Sequence, residues 1–300
     1  MPVPTIHRVG STGHIVALGD ARDLSWIADE SVHLVVTSPP YALLKSYEDV
    51  PGQLGNGDDR VSVEAYEAFL DELDRCWREC RRVLVPGGRI CCVVGDVCLS
   101  RRAAGRHHVL PLSADIQVRA RKNGLDNLTP IRWLKVANIT LEASSSSWYL
   151  GKPNLPGGIV KNDIETIVML RKPGGYRKPT QEMERASFID TEEYRRLFRP
   201  VWDDVGGESG RKWRHPAPFP EEIPARLIRM FSFVGDTVLD PFVGSGTTAV
   251  AALKLGRNSI SVDIVEDYVA TALRRLSASL DSMAARIEEV RVVPSLARAV

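Results

Sequence analysis

The sequence predicts an α/β fold built on a mainly parallel sheet with helices on both faces. Two strand–helix–strand units lead to this prediction, one at 14–18, 23–28 and 32–36 and the other at 237–239, 249–255 and 258–262. Strands that are joined through a crossover helix run parallel to each other. The chain has 300 residues, enough for one large domain or two small ones.

Hydrophobic periodicity supplies the elements between these two units. Apolar residues recur at helical spacing through 62–83, and apolar runs give the remaining strands. We expect helices at 62–83, 111–122, 220–231 and 267–280 and strands at 89–94, 129–136 and 164–170. The sequence Pro86-Gly87-Gly88 predicts a turn ahead of the strand at 89–94.

Two stretches lack clear periodicity. Residues 42–63 are rich in glycine and aspartate, and a loop of this length in a compact domain is usually functional or disordered. We interpret it as a mobile loop over a neighbouring site, with a surface insertion as the alternative. Residues 171–214 carry 11 Lys/Arg against 8 Asp/Glu, and we expect an irregular insertion outside the sheet.

Composition argues against membrane, secreted and zinc-binding proteins. The sequence has no apolar run of about 18 residues, and residues 1–10 lack the apolar core of a signal peptide. No two cysteines have CxxC spacing, so we expect buried free thiols in a reducing cytoplasm rather than a metal site. The cysteines are Cys76, Cys80, Cys91, Cys92 and Cys98.

Charge is sorted along the chain, although the net charge is only +1. Residues 1–74 carry 4 Lys/Arg against 13 Asp/Glu, and residues 75–135 carry 13 against 4. A basic block in a near-neutral protein indicates a local patch for a polyanion. The alternative is a charged face exposed to solvent.

The stretch Thr37-Ser38-Pro39-Pro40-Tyr41 follows the strand at 32–36. Its two prolines end the strand and stiffen the turn. The Ser38 hydroxyl and the Pro39 carbonyl are suited to accept both N–H groups of an exocyclic amine, and Tyr41 is suited to stack on a flat ring. The alternative is a rigid turn in which Tyr41 is ordinary packing.

A second turn, at 240–248, follows the strand at 237–239 and precedes a helix. Gly244 and Gly246 allow the backbone to approach a ligand closely. Asp263 ends the next strand, where an acidic side chain accepts ribose hydroxyls. The glycine spacing fits neither the dinucleotide nor the P-loop pattern, so the turn predicts the binding of another nucleoside.

Together, Thr-Ser-Pro-Pro-Tyr and Asp-Pro-Phe-x-Gly-Ser-Gly-Thr-Thr resemble the motifs of the DNA amino-methyltransferases, in the β-class order with the catalytic turn first. Gly19-Asp20, Pro86-Gly87-Gly88 and the segment 215–220 agree with that family, so the resemblance spans about 14–280. It implies a Rossmann-like S-adenosylmethionine-dependent methyltransferase fold with a sheet of the seven-stranded type.

The resemblance also implies a residue set for S-adenosyl-L-methionine. Asp263 would bind the ribose, Asp20 the adenine amino group and Thr37 the cofactor near the catalytic turn. The remaining residues would surround the methionine part or flank the cofactor: Asp240, Pro241, Phe242, Gly244, Ser245, Gly246, Thr247, Thr248, His215, Pro216 and Phe219. The catalytic residues would be Ser38, Pro39, Pro40 and Tyr41. No metal is implied.

The implied reaction is methylation of an exocyclic amine on a base flipped out of DNA. Serine rather than aspartate at position 38 is the form common among cytosine-N4 enzymes, so we expect cytosine N4, with adenine N6 as the alternative. The motif order and the basic block favour DNA over RNA or protein as the substrate. An NAD-dependent oxidoreductase fits the glycine spacing poorly, and a non-catalytic DNA-binding module would not need two intact sites.

The expected organisation is a catalytic half at 1–170, a target-recognition insertion at 171–214 and a cofactor half at 215–300. The expected DNA contacts are Arg101, Arg102, Arg106, Trp148, Arg177, Lys178, Arg211 and Lys212. We expect the partner to be double-stranded DNA and the protein to lie in a prokaryotic cytoplasm, associated with the nucleoid and with no membrane. We expect a restriction–modification context, and the sequence leaves open both a homodimer and a cognate endonuclease.

Overall fold

The structure is a computed structural model that describes residues 6–9, 12–40, 54, 62–99, 104–135, 156, 160, 162–207 and 219–282. None of the helices in these ranges has the length and apolar character of a membrane span. Its strands are β1 (Ile6–Val9), β2 (Thr12–Leu18), β3 (Val32–Thr37), β4 (Leu84–Val94), β5 (Val97–Leu99), β6 (His108–Leu110), β7 (Asp126–Leu134), β8 (Ile164–Arg171), β9 (Val201–Trp202), β10 (Thr237–Asp240) and β11 (Asn258–Asp263). Its helices are α1 (Val63–Val83), α2 (Leu112–Lys122), α3 (Gln181–Ala186), α4 (Thr191–Leu197), α5 (Glu222–Phe231), α6 (Thr247–Lys254) and α7 (Glu266–Ser282).

Nine of these strands form one sheet, in the order β1-β2-β11-β10-β3-β4-β8-β7-β9. The five strands from β2 to β4 in that order are mutually parallel. Strand β8 is antiparallel to both β4 and β7, and β1 is antiparallel to β2. The prediction of a mainly parallel sheet is confirmed, and its five parallel strands end together at one edge, here called the carboxyl edge.

Helices cover both faces of this sheet, as expected. Alternate residues of one strand enter different cores: Val35 packs with α1 and α2, whereas Leu34 and Val36 pack with α5. The period-2 alternation of a strand makes this division. Helix α7 packs against α6 and β2 in a third cluster that includes Val16 and Leu276.

The helix expected at 23–28 is wrong, because that stretch forms successive turns. Its buried Leu24 and Ile27 pack in the same core as α1. Glu79 accepts the Leu24 N–H at 2.9 Å, and Arg82 donates to the Leu24 carbonyl at 2.7 Å and to the Ile27 carbonyl at 3.0 Å. Side chains of α1 therefore hold this stretch in place through its backbone groups.

Pro86-Gly87-Gly88 is not a separate turn, because it lies inside β4. Two backbone hydrogen bonds to Lys172 continue the pairing there. The Gly87 N–H donates to the Lys172 carbonyl at 3.0 Å, and the Lys172 N–H donates to the Gly88 carbonyl at 2.9 Å. Gly87 has φ +79°, and a Cβ at that position would lie 2.5 Å from the Gly175 carbonyl oxygen. Glycine is required because the backbones approach so closely.

The expectation of an irregular segment outside the sheet at 171–214 is also wrong for its described part. It forms α3, α4 and β9, and β9 pairs parallel with β7. Trp202 is fully buried, and its indole N–H donates to the Leu197 carbonyl at 2.9 Å. Trp202 therefore joins this segment to the sheet, although the periodicity around it is weak.

Candidate active site

The two turns identified in the sequence meet at the carboxyl edge. Register pairs Leu239 of β10 with Val35 of β3, which brings the ends of the two strands together. Thr37 is fully buried, and its hydroxyl donates to Asp240 Oδ1 at 2.7 Å across 203 residues of chain. This bond joins the predicted catalytic turn to the predicted cofactor turn.

The described residues of the catalytic turn lie directly beyond this bond. Pro39 is buried, and Ser38 and Pro40 are half-buried. The proline pair ends β3 as expected. Tyr41 and the stretch 42–53 lie outside the described residues, as does most of the predicted loop.

Asp240 is a buried carboxyl group that accepts two hydrogen bonds. One comes from the Thr37 hydroxyl and the other from the Phe242 N–H at 3.1 Å, while the Thr248 hydroxyl donates to the Val36 carbonyl at 3.5 Å. Burial raises the pKa of Asp240 to about 6, although its hydrogen bonds lower it. A buried carboxylate of this kind is suited to pair with a cationic group.

The glycine turn depends on backbone conformations that other residues resist. Gly244 and Gly246 have φ values of +48° and +83°. A Cβ on Gly246 would lie 2.8 Å from both Cα and Cβ of Ala272 in α7. The turn and helix α7 are therefore packed too closely for any side chain at position 246. Pro241 is buried beside it, and Phe242 packs against the core of α1.

The side chains of Ser245 and Thr247 point to a partner that sequence reasoning missed. Arg275 of α7 donates from Nη1 to the Ser245 carbonyl and Oγ, both at 2.8 Å, and to Thr247 Oγ1 at 3.0 Å. In the sequence, Arg275 is distinguished only by its place on a predicted helix.

Asp263 ends β11 on the other side of the turn. It accepts the Gly244 N–H at 2.9 Å and the Val265 N–H at 3.0 Å, and it remains half-buried. Burial raises the pKa of Asp263 to about 6, against those backbone hydrogen bonds. Its assignment to the ribose of the cofactor stays a prediction.

Asp20 lies beyond the end of β2, the strand paired with β11. Arg22 holds its carboxylate, with Nη2 at 2.5 Å and the backbone N–H at 2.8 Å, and bridges to Glu72 of α1 at 2.5 Å. Burial raises the pKa of Asp20, but the hydrogen bonds from Arg22 outweigh it and the net shift is downward. Arg22 is a second residue that the sequence did not single out.

Phe219, the described member of the expected cofactor flank, is half-buried and packs against the core that contains Leu34 and Leu227. His215 and Pro216 lie outside the described residues.

The described residues expected to contact DNA lie at opposite edges of the sheet. Arg106 is exposed between β5 and β6, which follow the carboxyl end of β4. Arg177 instead pairs with buried Asp236, one residue before β10 begins, and its guanidinium lies 5.1 Å over the Phe233 ring. Lys178 is exposed beside it. Outside the described residues lie Arg101, Arg102, Trp148, Arg211 and Lys212.

Arg177 also lines a cavity of about 350 Å³ at the edge opposite the carboxyl edge, together with His33, Arg89 and Arg229. Of the described residues that the sequence predicts as site residues, only Arg177 lines this cavity. The contribution of Arg177 and Lys178 to base reading stays a prediction.

Much of the basic block is neutralised within the protein. Arg119 of α2 lies 2.7 Å from each of three acidic residues of α1, namely Glu67, Asp71 and Asp74. Arg82 pairs with Asp29 and Glu79 in the same way. The acidic and basic blocks of the sequence therefore fold onto each other, which leaves a smaller set of cations for a polyanion.

Comparison with known proteins gives a consistent result. A family model described as DNA methylase matches residues 32–274. The type II methyltransferase M.MjaI of Methanocaldococcus jannaschii is 38% identical over 274 residues, which cover 85% of this chain and 88% of that protein. M.MthZI of Methanothermobacter thermautotrophicus is 30% identical over 284 residues, covering 90% and 78% respectively.

Solved structures agree with the fold. TTHA0409 of Thermus thermophilus, complexed with S-adenosyl-L-methionine, matches with a TM-score of 0.73 and 47% identity, covering 93% of this chain and 97% of that one. The cytosine-N4-specific PvuII DNA methyltransferase matches with a TM-score of 0.60 over 90% of this chain and 92% of that one, at 20% identity, which shows the fold alone.

Proposed function

Because the chain belongs to the DNA methylase family of S-adenosylmethionine-dependent N4/N6 enzymes, we propose that it methylates the exocyclic N4 amine of a flipped-out cytosine at a specific site in double-stranded DNA. The observation that carries the proposal is the Thr37–Asp240 hydrogen bond, because it holds an amine-accepting turn against a nucleoside-binding turn. Methylation of adenine N6 is the second candidate.

The residues present fit the cofactor. Asp240 supplies a buried carboxylate for the methionine ammonium, and half-buried Asp263 supplies an acceptor for ribose hydroxyls. Gly244, with φ +48°, lets the backbone approach the ligand without a side chain between them. Asp20 keeps its charge beside Arg22, which suits an acceptor for the adenine amino group. When bound, S-adenosylmethionine supplies an electrophilic methyl group.

In this proposal, the catalytic turn orients the target amine. The Ser38 hydroxyl and the Pro39 carbonyl accept its two N–H groups. An aryl amine is a weak nucleophile because its lone pair is delocalised into the ring, and two fixed acceptors favour a pyramidal nitrogen with the lone pair directed outward. Orientation of this kind can remove several kcal/mol from a barrier. Serine is too weakly basic to deprotonate a neutral amine, so the amine loses its proton during or after methyl transfer.

Extrusion of the base costs a few kcal/mol, and stacking on Tyr41, the residue after Pro40, offsets part of it. The loop around Arg106, with Arg101 and Arg102, is proposed to hold DNA phosphates near the carboxyl edge. Segment 171–214, with Arg211 and Lys212, is proposed to read base edges. Because the relatives are type II methyltransferases, we place the enzyme in a restriction–modification system.

Ser38 supports cytosine over adenine, because serine at this position resembles the form common among cytosine-N4 enzymes. The deciding experiment is to methylate unmodified plasmid DNA with the purified protein and to digest it to nucleosides. Mass spectrometry should then detect N4-methyldeoxycytidine, and single-molecule sequencing should locate it at one recurring sequence. N6-methyldeoxyadenosine alone would select the second candidate, and no methylated nucleoside would contradict both.

A further inference from the structure

The glycine turn is held from two sides by groups of opposite charge. On one side the Asp263 carboxylate accepts the Gly244 N–H at 2.9 Å. On the other side Arg275 donates to three acceptors, the Ser245 carbonyl, the Ser245 hydroxyl and the Thr247 hydroxyl. Helix α7 is thereby hydrogen-bonded to a turn that lies 28 to 30 residues earlier in the chain.

Helix α6 has no side-chain cap at its N-terminus, where Gly246 has φ +83°. Within the turn, the Gly246 N–H donates to the Val243 carbonyl at 2.8 Å, and the Ser245 and Thr247 hydroxyls lie 3.3 Å apart. Ser245 and Thr247 are each only 5% exposed. Buried polar groups need partners, and an unmet one costs about 1–3 kcal/mol. One guanidinium serves acceptors on two residues of the turn. Its removal would leave the two hydroxyls with only each other as partners and would take from the Ser245 carbonyl its donor on α7.

The placement of this cation is unfavourable for the helix that it touches. A helix N-terminus carries a partial positive charge and is stabilised by anions. Arg275 instead brings a positive charge to the start of α6. The same arrangement raises the attraction of that helix end for an anionic ligand group. An arrangement that opposes helix stability and favours an anion is expected at a functional site.

We propose that Arg275 is a positioning residue for the cofactor. It fixes the glycine turn so that the start of α6 and the turn backbone receive the carboxylate of the methionine part. The inference rests on the proposed assignment of this turn to S-adenosylmethionine. Arg275 acts through Ser245 and Thr247 and takes no part in the transfer of the methyl group.

The test compares Arg275→Met with Arg274→Met, its neighbour on α7. Arg274 is exposed and donates to Thr271, within its own helix. We expect Arg275→Met to raise the Kd for S-adenosylmethionine about tenfold or more in titration calorimetry, and Arg274→Met to leave it within about twofold. At saturating cofactor, Arg275→Met should keep kcat within about twofold, so that the defect lies in KM. Arg275→Lys should recover part of the affinity, because it restores charge and donors.

An unchanged Kd in a folded Arg275→Met protein with a lower Tm would reduce Arg275 to a stabilising residue and overturn the proposal, as would a fall in kcat with unchanged Kd. If Arg275→Met does not fold, the same comparison is made with Ser245→Ala combined with Thr247→Val, which removes two acceptors and keeps the arginine. An unchanged Kd there would also overturn it. If the unsubstituted protein fails to bind S-adenosylmethionine, the assignment of the turn itself is wrong.

Discussion

At the scale of single residues, the two carboxyl groups at the carboxyl edge have pKa values that matter near neutral pH. Burial raises the pKa of both Asp240 and Asp263 to about 6, and the charge of Asp240 adds to the shift at Asp263. Because the folded pKa values are raised, their contribution to stability is present below about pH 4 and is lost as the pH rises through about 6.

Binding of S-adenosylmethionine should depend on pH in the opposite direction. The ammonium group of the cofactor is proposed to pair with ionised Asp240, so below about pH 6 Asp240 must release a proton on binding. The affinity should therefore fall by about tenfold for each pH unit below about 6. Calorimetry from pH 5 to 8 in buffers of different ionisation enthalpy measures both the affinity and the protons. Asp240→Asn should bind more weakly and lose most of this dependence. Equal affinity at pH 5 and pH 7 in the unsubstituted protein would refute the ion pair.

The hydroxyl of Ser38 should affect the reaction rate and not cofactor affinity. Ser38→Ala keeps the proline turn but removes one proposed acceptor for the amine. Single-turnover methylation should slow by about 10²-fold or more, while the Kd for S-adenosylmethionine stays within about twofold. A mispaired target base should not rescue this variant, because extrusion is not the defective step. Rescue by the mismatch would show that Ser38 acts in flipping the base.

At the scale of secondary-structure elements, local patterns predicted most boundaries within a few residues. Helix α2 was expected at 111–122 and is found at Leu112–Lys122, and the motif turns lie at strand ends as expected. The failures share a cause in contacts between distant residues. The stretch 23–28 is held in turns by Arg82, and Trp202 is buried through pairing of β9 with β7. Arg275 was not predicted because its partners Ser245 and Thr247 lie 28 to 30 residues earlier in the chain.

The close packing of α7 on the glycine turn leads to a prediction at this scale. Gly246→Ala must accept φ +83° and place a methyl group 2.8 Å from Ala272. The left-handed backbone costs about 1–2 kcal/mol and the overlap about 1–3 kcal/mol more. Urea unfolding should therefore show that the free energy of unfolding falls by about 2–5 kcal/mol.

Gly256→Ala is the matched control for this destabilisation. It has φ +71°, but the nearest atom to its new methyl group is Val234 Cγ1 at 3.5 Å. Its free energy of unfolding should fall by only about 1–2 kcal/mol, since strain acts there without overlap. Equal destabilisation of the two variants would show that packing on α7 contributes nothing.

At the scale of the whole molecule, opposite charge blocks of the sequence neutralise each other. Arg119 alone pairs with three acidic residues of α1. The formal count of basic residues in 75–135 therefore overstates the charge available to DNA. Arg106 is exposed between β5 and β6, the strands that follow the carboxyl end of β4.

DNA binding should separate these two classes of arginine. Replacing Arg101, Arg102 and Arg106 by Gln should reduce the slope of log K against log salt by about one unit for each arginine that binds a phosphate. Arg119→Met should leave that slope unchanged and lower stability by about 1 kcal/mol. Fluorescence anisotropy between low and moderate salt measures the slope. A slope that responds to Arg119→Met and not to the triple variant would reverse the assignment.

The order of strands also has a consequence for how the protein is made. Strands β10 and β11 lie between β2 and β3 in the sheet, yet Thr37 and its partner Asp240 are 203 residues apart. At about 5–20 residues per second, a ribosome needs on the order of 10–40 s to span that distance. During that interval β2 and β3 each present an open edge, the kind of surface that promotes aggregation. In a nascent chain these two edges thus stay unpaired until β10 and β11 emerge and insert between them.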